Sequence, residues 1–414
     1  MDLLLANLRA LDLTDERGFL CGRILADLGA EVIKIEKPGG DKSRNIGPFY
    51  HDIPDPEKSL YWFAFNANKK GITLDIESHD GREIFKRLVE RADFVIESFP
   101  VGYLDSLFLG YHELSQINSR LVMTSITPFG QDGPYKNYQG SDLVMMAAGG
   151  YLYLTGDTDR APVRISFPQA CLHGSGQAVI ATLIAHYHRE ITGEGQHVDV
   201  SIQQSFTHGL LGAVAFWELA STILKRAGQA RTGWTMGPTP RQTWKCKDDF
   251  VAFFIAGGEV HARANKALVQ WMDGEGMAND FLKGVDWDAL DMRTVSKEFL
   301  DQIEEPIGKF FLTHTKSELY EGGLKRGVDV YPVSNVRDIA HNRQLEEREF
   351  WVEVNHDELG AKLRYPGAFA KTSLASCHIR TRAPLIGEHN EEIYIRELGF
   401  SRGQLIMLKE ANII

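Results

Sequence analysis

Gly18-Phe-Leu-Cys-Gly-Arg-Ile-Leu-Ala-Asp-Leu-Gly29, followed at once by Ala30-Glu-Val-Ile-Lys-Ile35, is the stretch on which the fold turns. Its first half spaces apolar side chains as an amphipathic helix does and ends on glycine, which closes helices because it takes a left-handed conformation without a Cβ penalty. Its second half is a short run rich in β-branched residues, as in a buried strand. The pattern recurs downstream: His79 to Ala92 reads as helix, Asp93-Phe-Val-Ile-Glu97 as strand, and Leu121-Val-Met-Thr-Ser125 as a further strand. Upstream, Met1 to Thr14 reads as the first strand, with no basic start and no small-residue cleavage site of a secretory signal. Helix and strand in alternation build a mostly parallel sheet covered by helices, so the chain is expected to be α/β with a Rossmann-like large domain. In such sheets ligands sit beyond the carboxyl ends of the strands.

Working outward, residues 1–205 make the first part of the large domain, and 206–240 a linker helix and loop. Ile202 to Lys225 reads as helical, and glycine and proline cluster between Gly228 and Pro240. A smaller α/β domain is expected over 241–327, with a strand at Phe250 to Ile255 and helices at Arg263 to Met272, Thr294 to Phe311 and Lys316 to Arg326.

The 414 residues are 43% hydrophobic and 24% charged, enough for two domains each with its own core. A net charge of −11 disfavours nucleic acid or an anionic membrane as partner, and an anionic ligand needs a local basic pocket. Cys21, Cys171, Cys246 and Cys377 show neither CxxC spacing nor a disulfide pattern, which fits a reducing cytoplasm. No run of 18 apolar residues predicts a membrane span.

Seven stretches carry a resemblance. Leu28 to Gly39, Asn66-Ala-Asn-Lys-Lys-Gly-Ile-Thr-Leu-Asp75, Ala92-Asp-Phe-Val-Ile-Glu-Ser-Phe99, Phe129-Gly-Gln-Asp-Gly-Pro-Tyr135, Tyr187-His-Arg-Glu-Ile-Thr-Gly-Glu-Gly-Gln-His-Val-Asp-Val-Ser201 and Leu385-Ile-Gly-Glu-His-Asn390, with Tyr365-Pro-Gly367, follow the order and spacing of the class III CoA-transferases, the CaiB/BaiF family. The resemblance implies that residues 328–414 return to the large domain and that two protomers are threaded through each other as an interlocked dimer. It implies acyl-CoA and a free carboxylic acid as substrates, with no permanently bound cofactor, and the scattered cysteines and histidines suggest no metal. Carried over position by position, the CoA-binding residues are Arg17, Lys37, Asn68, Leu74, Phe99 and Lys136. Lys37 stands where relatives often have arginine and Arg17 where a glutamine often lies; Ser98 and Ser106 replace an asparagine and an arginine.

The family's chemistry needs an aspartate, because only a carboxylate can form first an acyl anhydride and then a CoA thioester. Counting eighteen residues back from Arg189 reaches Cys171, and 165–189 contains no Asp or Glu. Cys171 can take an acyl group but cannot condense with CoA to an activated thioester. Gln169, His173 and Gln177 are polar at the same place and could hold a carboxylate without attacking it. His186 and His188 lack ligand-spaced partners, and Asp157 and Asp159 read as turn formers. Three readings stay open. The chain is the non-nucleophilic subunit of a heteromeric CoA-transferase, as in the family's two-subunit succinyl-CoA:benzylsuccinate type, with a paralogous subunit supplying the aspartate; or a stand-alone enzyme with altered mechanism; or a non-enzymatic acyl-CoA-binding protein.

Overall fold

The computed structural model describes residues 3–230, 237–375 and 377–414. They form two compact units, Met1–Gly149 with Ser166–Gly209 and Arg343–Ile414, and Gly150–Ile165 with Leu210–Asn342.

In the first unit six strands, β1 (Arg9–Leu13), β2 (Glu31–Glu36), β3 (Lys69–Thr73), β4 (Phe94–Glu97), β5 (Val122–Thr127) and β6 (Gln196–Ser201), make one sheet in the order β3-β2-β1-β4-β5-β6. Every pairing is parallel. This is the doubly wound order, whose winding reverses between β1 and β4 and opens a crevice beyond their carboxyl ends. Between the strands run α1 (Phe19–Asp27), α2 (Leu60–Asn66), α3 (His79–Val89), α4 (Tyr103–Ser106), α5 (Tyr111–Ile117), α6 (Asp142–Ala148), the short α7 (Tyr151–Leu154) of the second unit, and the long α8 (Gln169–Thr192).

Leu11, Leu13, Ile33, Ile35, Val95 and Met123 alternate along the strands and bury one face of the sheet together with Ile84, Phe85 and Leu88 of α3. The intervening positions put charge inside: Asp12, Lys34 and Lys69 are all buried. Lys69 Nζ donates to Asp12 Oδ2 at 2.8 Å, to the Phe19 carbonyl at 3.0 Å and to Asn66 Oδ1 at 2.9 Å, while Lys34 donates to the Thr14 carbonyl. Buried ions are tolerable when every donor is paired. Here the pairing clamps the turn between β1 and α1. Gly22 belongs to that arrangement, since a Cβ there would stand 2.2 Å from Asp12 Oδ2.

After β6 the helical reading of 202–225 divides into α9 (Ile202–His208) of the first unit and α10 (Leu211–Ala220) of the second; the break falls at Gly209 and Leu210. Residues 231–236 of the expected linker lie outside the described residues. The second unit continues with β7 (Thr243–Lys245), β8 (Phe250–Ala252), α11 (Glu259–Gly274), α12 (Asp280–Gly284), α13 (Lys297–Thr313), α14 (Lys316–Arg326), β9 (Tyr331–Pro332) and α15 (Val336–Ala340). Its core gathers Trp244, Val251, Phe253, Phe310 and Phe311. Residues 328–342, expected to return to the large domain, lie here because Tyr331 and Pro332 pair with Ala252 and Val251 as the third strand of an antiparallel sheet.

The first unit is completed by α16 (Arg343–Glu347), a hairpin of β10 (Trp351–His356) and β11 (Ala361–Pro366), a π-helix at Glu391–Glu397 and α17 (Arg402–Glu410). Among the described residues no helix is long and apolar enough to cross a membrane.

Candidate functional site

The crevice between the ends of β1 and β4 is built from two turns. The turn after β1 carries Asp15, Glu16 and Arg17. The Arg17 guanidinium holds Asp15 with both Nε and Nη2 and donates to the Ser98 carbonyl at 2.6 Å, while Asp15 accepts from Ser98 Oγ at 2.9 Å. Burial works against both charges, but the mutual bond outweighs it: Asp15 falls below its ordinary pKa and Arg17 rises above its own. Arg17 is therefore committed to joining the two turns, and two of its guanidinium nitrogens are already spent. The turn after β4 presents Phe99, whose N–H donates to the Glu97 carboxyl at 2.7 Å.

Three of the other residues singled out by resemblance come together at the same edge. The Phe99 ring lies 4.6 Å from that of Tyr103, Tyr103 Oη donates to Glu77, and Glu77 accepts from Lys37 Nζ at 2.8 Å. Lys37 is exposed and tethered by that one contact, so it remains available to an anion. Leu74 is buried, and its backbone N–H donates to the Glu36 carbonyl, so it shapes the edge from within. Lys136 is exposed in the loop after β5, beside Tyr135 and Tyr138, whose rings stack 5.1 Å apart. Asn68 is elsewhere. It precedes β3, at the amino end of the sheet, where its side chain bonds Asp27 and the backbone of His378, Arg380 and Thr381.

Residue 171 lies in the first turn of α8, the helix that crosses over from β5 to β6. Ser175 Oγ of the same helix donates to the Arg17 carbonyl at 2.8 Å and so seats α8 against the turn after β1. Cys171 is 6% exposed. Burial, then the negative charge of Asp142, pushes its thiol up to about 12, with Arg17 opposing. It stays protonated at neutral pH, the inert form of a cysteine. Gln169 is half-buried and His173 exposed, its ring edge-on to Phe206 at 5.1 Å. His186 turns away to Arg189, and His188 to Thr192. Asp157 belongs to the second unit, where its carbonyl accepts from Arg226.

Sequence reasoning missed two groups here. Asp142, at the start of α6, accepts the Cys171 N–H on Oδ1 at 3.2 Å, so a carboxylate does stand beside position 171 although none is near it in the chain. The phenol of Tyr61, on α2, is raised by burial and then by the charges of Glu16, Cys171, Asp142 and Asp15, which marks it as another neighbour. Tyr61 is separated from residue 171 by three strands and Asp142 by a short helix and a loop, and no spacing rule links either of them to it.

Known proteins resemble the chain in sequence and fold over nearly its full length. The model of CoA-transferase family III matches residues 5–390. The chain is 37% identical to the succinyl-CoA:(R)-benzylsuccinate CoA-transferase subunit BbsE of Thauera aromatica, over 95% of this chain and 94% of the relative. It is 28% identical to the succinyl-CoA–L-malate CoA-transferase beta subunit of Chloroflexus aurantiacus, over 99% and 98%. Its fold superposes on the crystal structure of a CAIB/BAIF family protein from Brucella suis with a TM-score of 0.82 at 27% identity, covering 96% of this chain and all of that one.

Proposed function

The chain belongs to CoA-transferase family III, and from that premise we propose that it is one subunit of a heteromeric CoA-transferase that moves CoA between an acyl-CoA, such as succinyl-CoA, and a free carboxylic acid. The observation that carries the reading is Cys171, a buried and protonated thiol at the place where the exchange requires a carboxylate. A paralogous family III chain supplies the aspartate, in an interlocked assembly of the kind the family resemblance implies. The two similar proteins named above as subunits support a two-chain enzyme. Acyl-CoA lies along the carboxyl edge of the sheet, with Lys37 and Lys136 facing its phosphates and Phe99 its adenine; Arg17 and Glu97 hold the turns in place.

One observation favours a second reading. The Asp142 carboxylate beside residue 171 gives the chain an acid of its own, which could serve a stand-alone enzyme.

The test is turnover. The chain purified alone, and the same chain co-expressed with an aspartate-bearing family III chain from the same genome, are given succinyl-CoA and a panel of carboxylic acids. Transfer appearing only with the partner supports the heteromer; transfer by the chain alone, abolished in Asp142→Asn, replaces it with the second reading.

A further inference from the structure

Across three neighbouring strands runs a row of hydrogen-bonded side chains that the proposed transfer does not use. Glu97 ends β4 and is 4% exposed; Ser125 stands opposite it on β5 and bonds its carboxyl. Ser125 Oγ lies 2.9 Å from His197 Nε2 on β6, and the His197 ring is exposed and stacked 5.7 Å from that of Tyr111 on α5. The row thus leads from a buried carboxyl to a side chain in contact with water. Beside it lies a cavity of about 30 Å³, room for a water molecule, lined among others by Asp105, Tyr111 and Gln131.

Such a row is satisfied in two states. With Glu97 ionised, His197 Nε2–H donates to Ser125 Oγ, and the Ser125 hydroxyl donates to the carboxylate. With Glu97 protonated both bonds reverse: the carboxyl O–H donates to Ser125, and Ser125 donates to a bare Nε2. The interconversion needs no heavy atom to move. A proton from solvent joins His197 Nδ1, the Nε2 proton passes to Ser125, and the Ser125 proton passes to Glu97. One proton enters and one carboxylate is neutralised. The Phe99 N–H keeps its acceptor, 2.7 Å away, in both states.

The surrounding charges poise the row. Burial raises the Glu97 carboxyl to about 7; the bonds from Ser125 and Phe99 and the charge of Arg17 oppose this, and Asp105 adds to it. Glu113 stands beside Asp105, for a Cβ on Gly110 would come 2.0 Å from Asp105 Oδ1 and 3.0 Å from Glu113 Oε2. Desolvation holds His197 below its ordinary pKa, with Asp199 and Asp105 opposing, so its ring is neutral above pH 7. A further negative charge brought to the turn after β4 tips Glu97 to its neutral form, since like charges in a poorly solvated site do not both ionise.

We propose that Glu97 is a proton-linked positioning residue: an anionic CoA seated on the turn after β4 draws a proton from solvent, through His197 and Ser125, onto its carboxyl. The inference rests on the reading above that acyl-CoA lies along this edge, and adds to it a proton taken up on binding.

The experiment titrates CoA calorimetrically into the assembled enzyme at pH 7.5, in two buffers of different ionisation enthalpy, which counts the protons taken up. Wild type is expected to take up about half a proton more per CoA bound to this chain than Glu97→Gln, and its affinity should fall about three- to tenfold further between pH 6.5 and 8.5. Protons taken up by CoA itself or at the partner chain's site are common to both enzymes and cancel in the difference. Ser125→Ala removes a donor to the carboxylate and should move the uptake to higher pH, a second readout should the glutamine variant not fold. Equal uptake in wild type and Glu97→Gln, or a Ser125→Ala profile identical to wild type, overturns the inference. Lys37→Ala and Lys136→Ala, run alongside, separate that failure from failure of the premise. Weaker CoA binding in either keeps CoA on this edge; wild-type titrations in both remove CoA and the inference together.

Discussion

The proposed function turns on Cys171. A thiol held near a pKa of about 12 is not ionised at neutral pH, and a thioester formed on it has no route to CoA activation. Cys171→Ala is therefore expected to leave the transfer rate of the assembled enzyme within about threefold; a loss of a hundredfold with assembly intact would show that the sulfur takes part. Glu97 is the opposite case, a group that titrates where the cell works. Burial raises its carboxyl from 4.5 to about 7, against the bonds from Ser125 and the Phe99 N–H. The folded state thus binds this proton more tightly than the unfolded chain. The stabilisation is complete below about pH 4.5 and is lost as pH rises through about 7, a span worth up to about 3 kcal/mol. Glu97→Gln keeps an acceptor for Phe99 but cannot ionise. Its melting temperature should fall less between pH 4.5 and 7.5 than that of the wild type, and equal slopes would remove Glu97 from the account.

Among the elements, the turns at the carboxyl edge and the clip at the amino edge have separate duties, and variants separate them. Asn68 sits at φ 66°, a left-handed conformation that asparagine tolerates, and its amide makes four bonds to Asp27 and the 378–381 segment. Asn68→Ala strands those partners and should cost about 2–4 kcal/mol in denaturant unfolding without changing CoA affinity at temperatures where the variant stays folded. Lys37→Ala and Lys136→Ala should do the reverse, each weakening CoA binding about three- to tenfold at unchanged stability, since one exposed cation on a phosphate is worth about 1 kcal/mol. Calorimetric titrations identical to wild type for both would take CoA off this edge. The same elements show what the sequence could tell. Helix, glycine and strand over 18–35 were legible because a helically spaced apolar face, a closing glycine and a short β-branched run follow one another directly, and α1 and β2 fall there. The step from Arg189 back to Cys171 was legible because it is a count along one helix, and α8 carries both residues. Asp142 and Tyr61 were not, because they reach residue 171 through the tertiary fold. Nor was the place of Tyr331 and Pro332, a two-residue strand too short for any period and defined only by its partner β8.

For the molecule as a whole, a doubly wound sheet holds its ligand edge together through buried ions and paired turns, while Cys171 beside that edge is a buried thiol and the helix that carries it presents an apolar face to solvent. Both features are accounted for if the chain works beside a second one that carries the chemistry. The account's central claim is tested most directly by finding where the covalent intermediate forms. The assembled enzyme is incubated with succinyl-CoA and no acceptor acid, the enzyme-bound acyl or CoA group is trapped with hydroxylamine or borohydride, and the tagged peptide is located by mass spectrometry. The account predicts the tag on an aspartate of the partner chain and none on this one; a tag on Asp142 or Cys171 would contradict it.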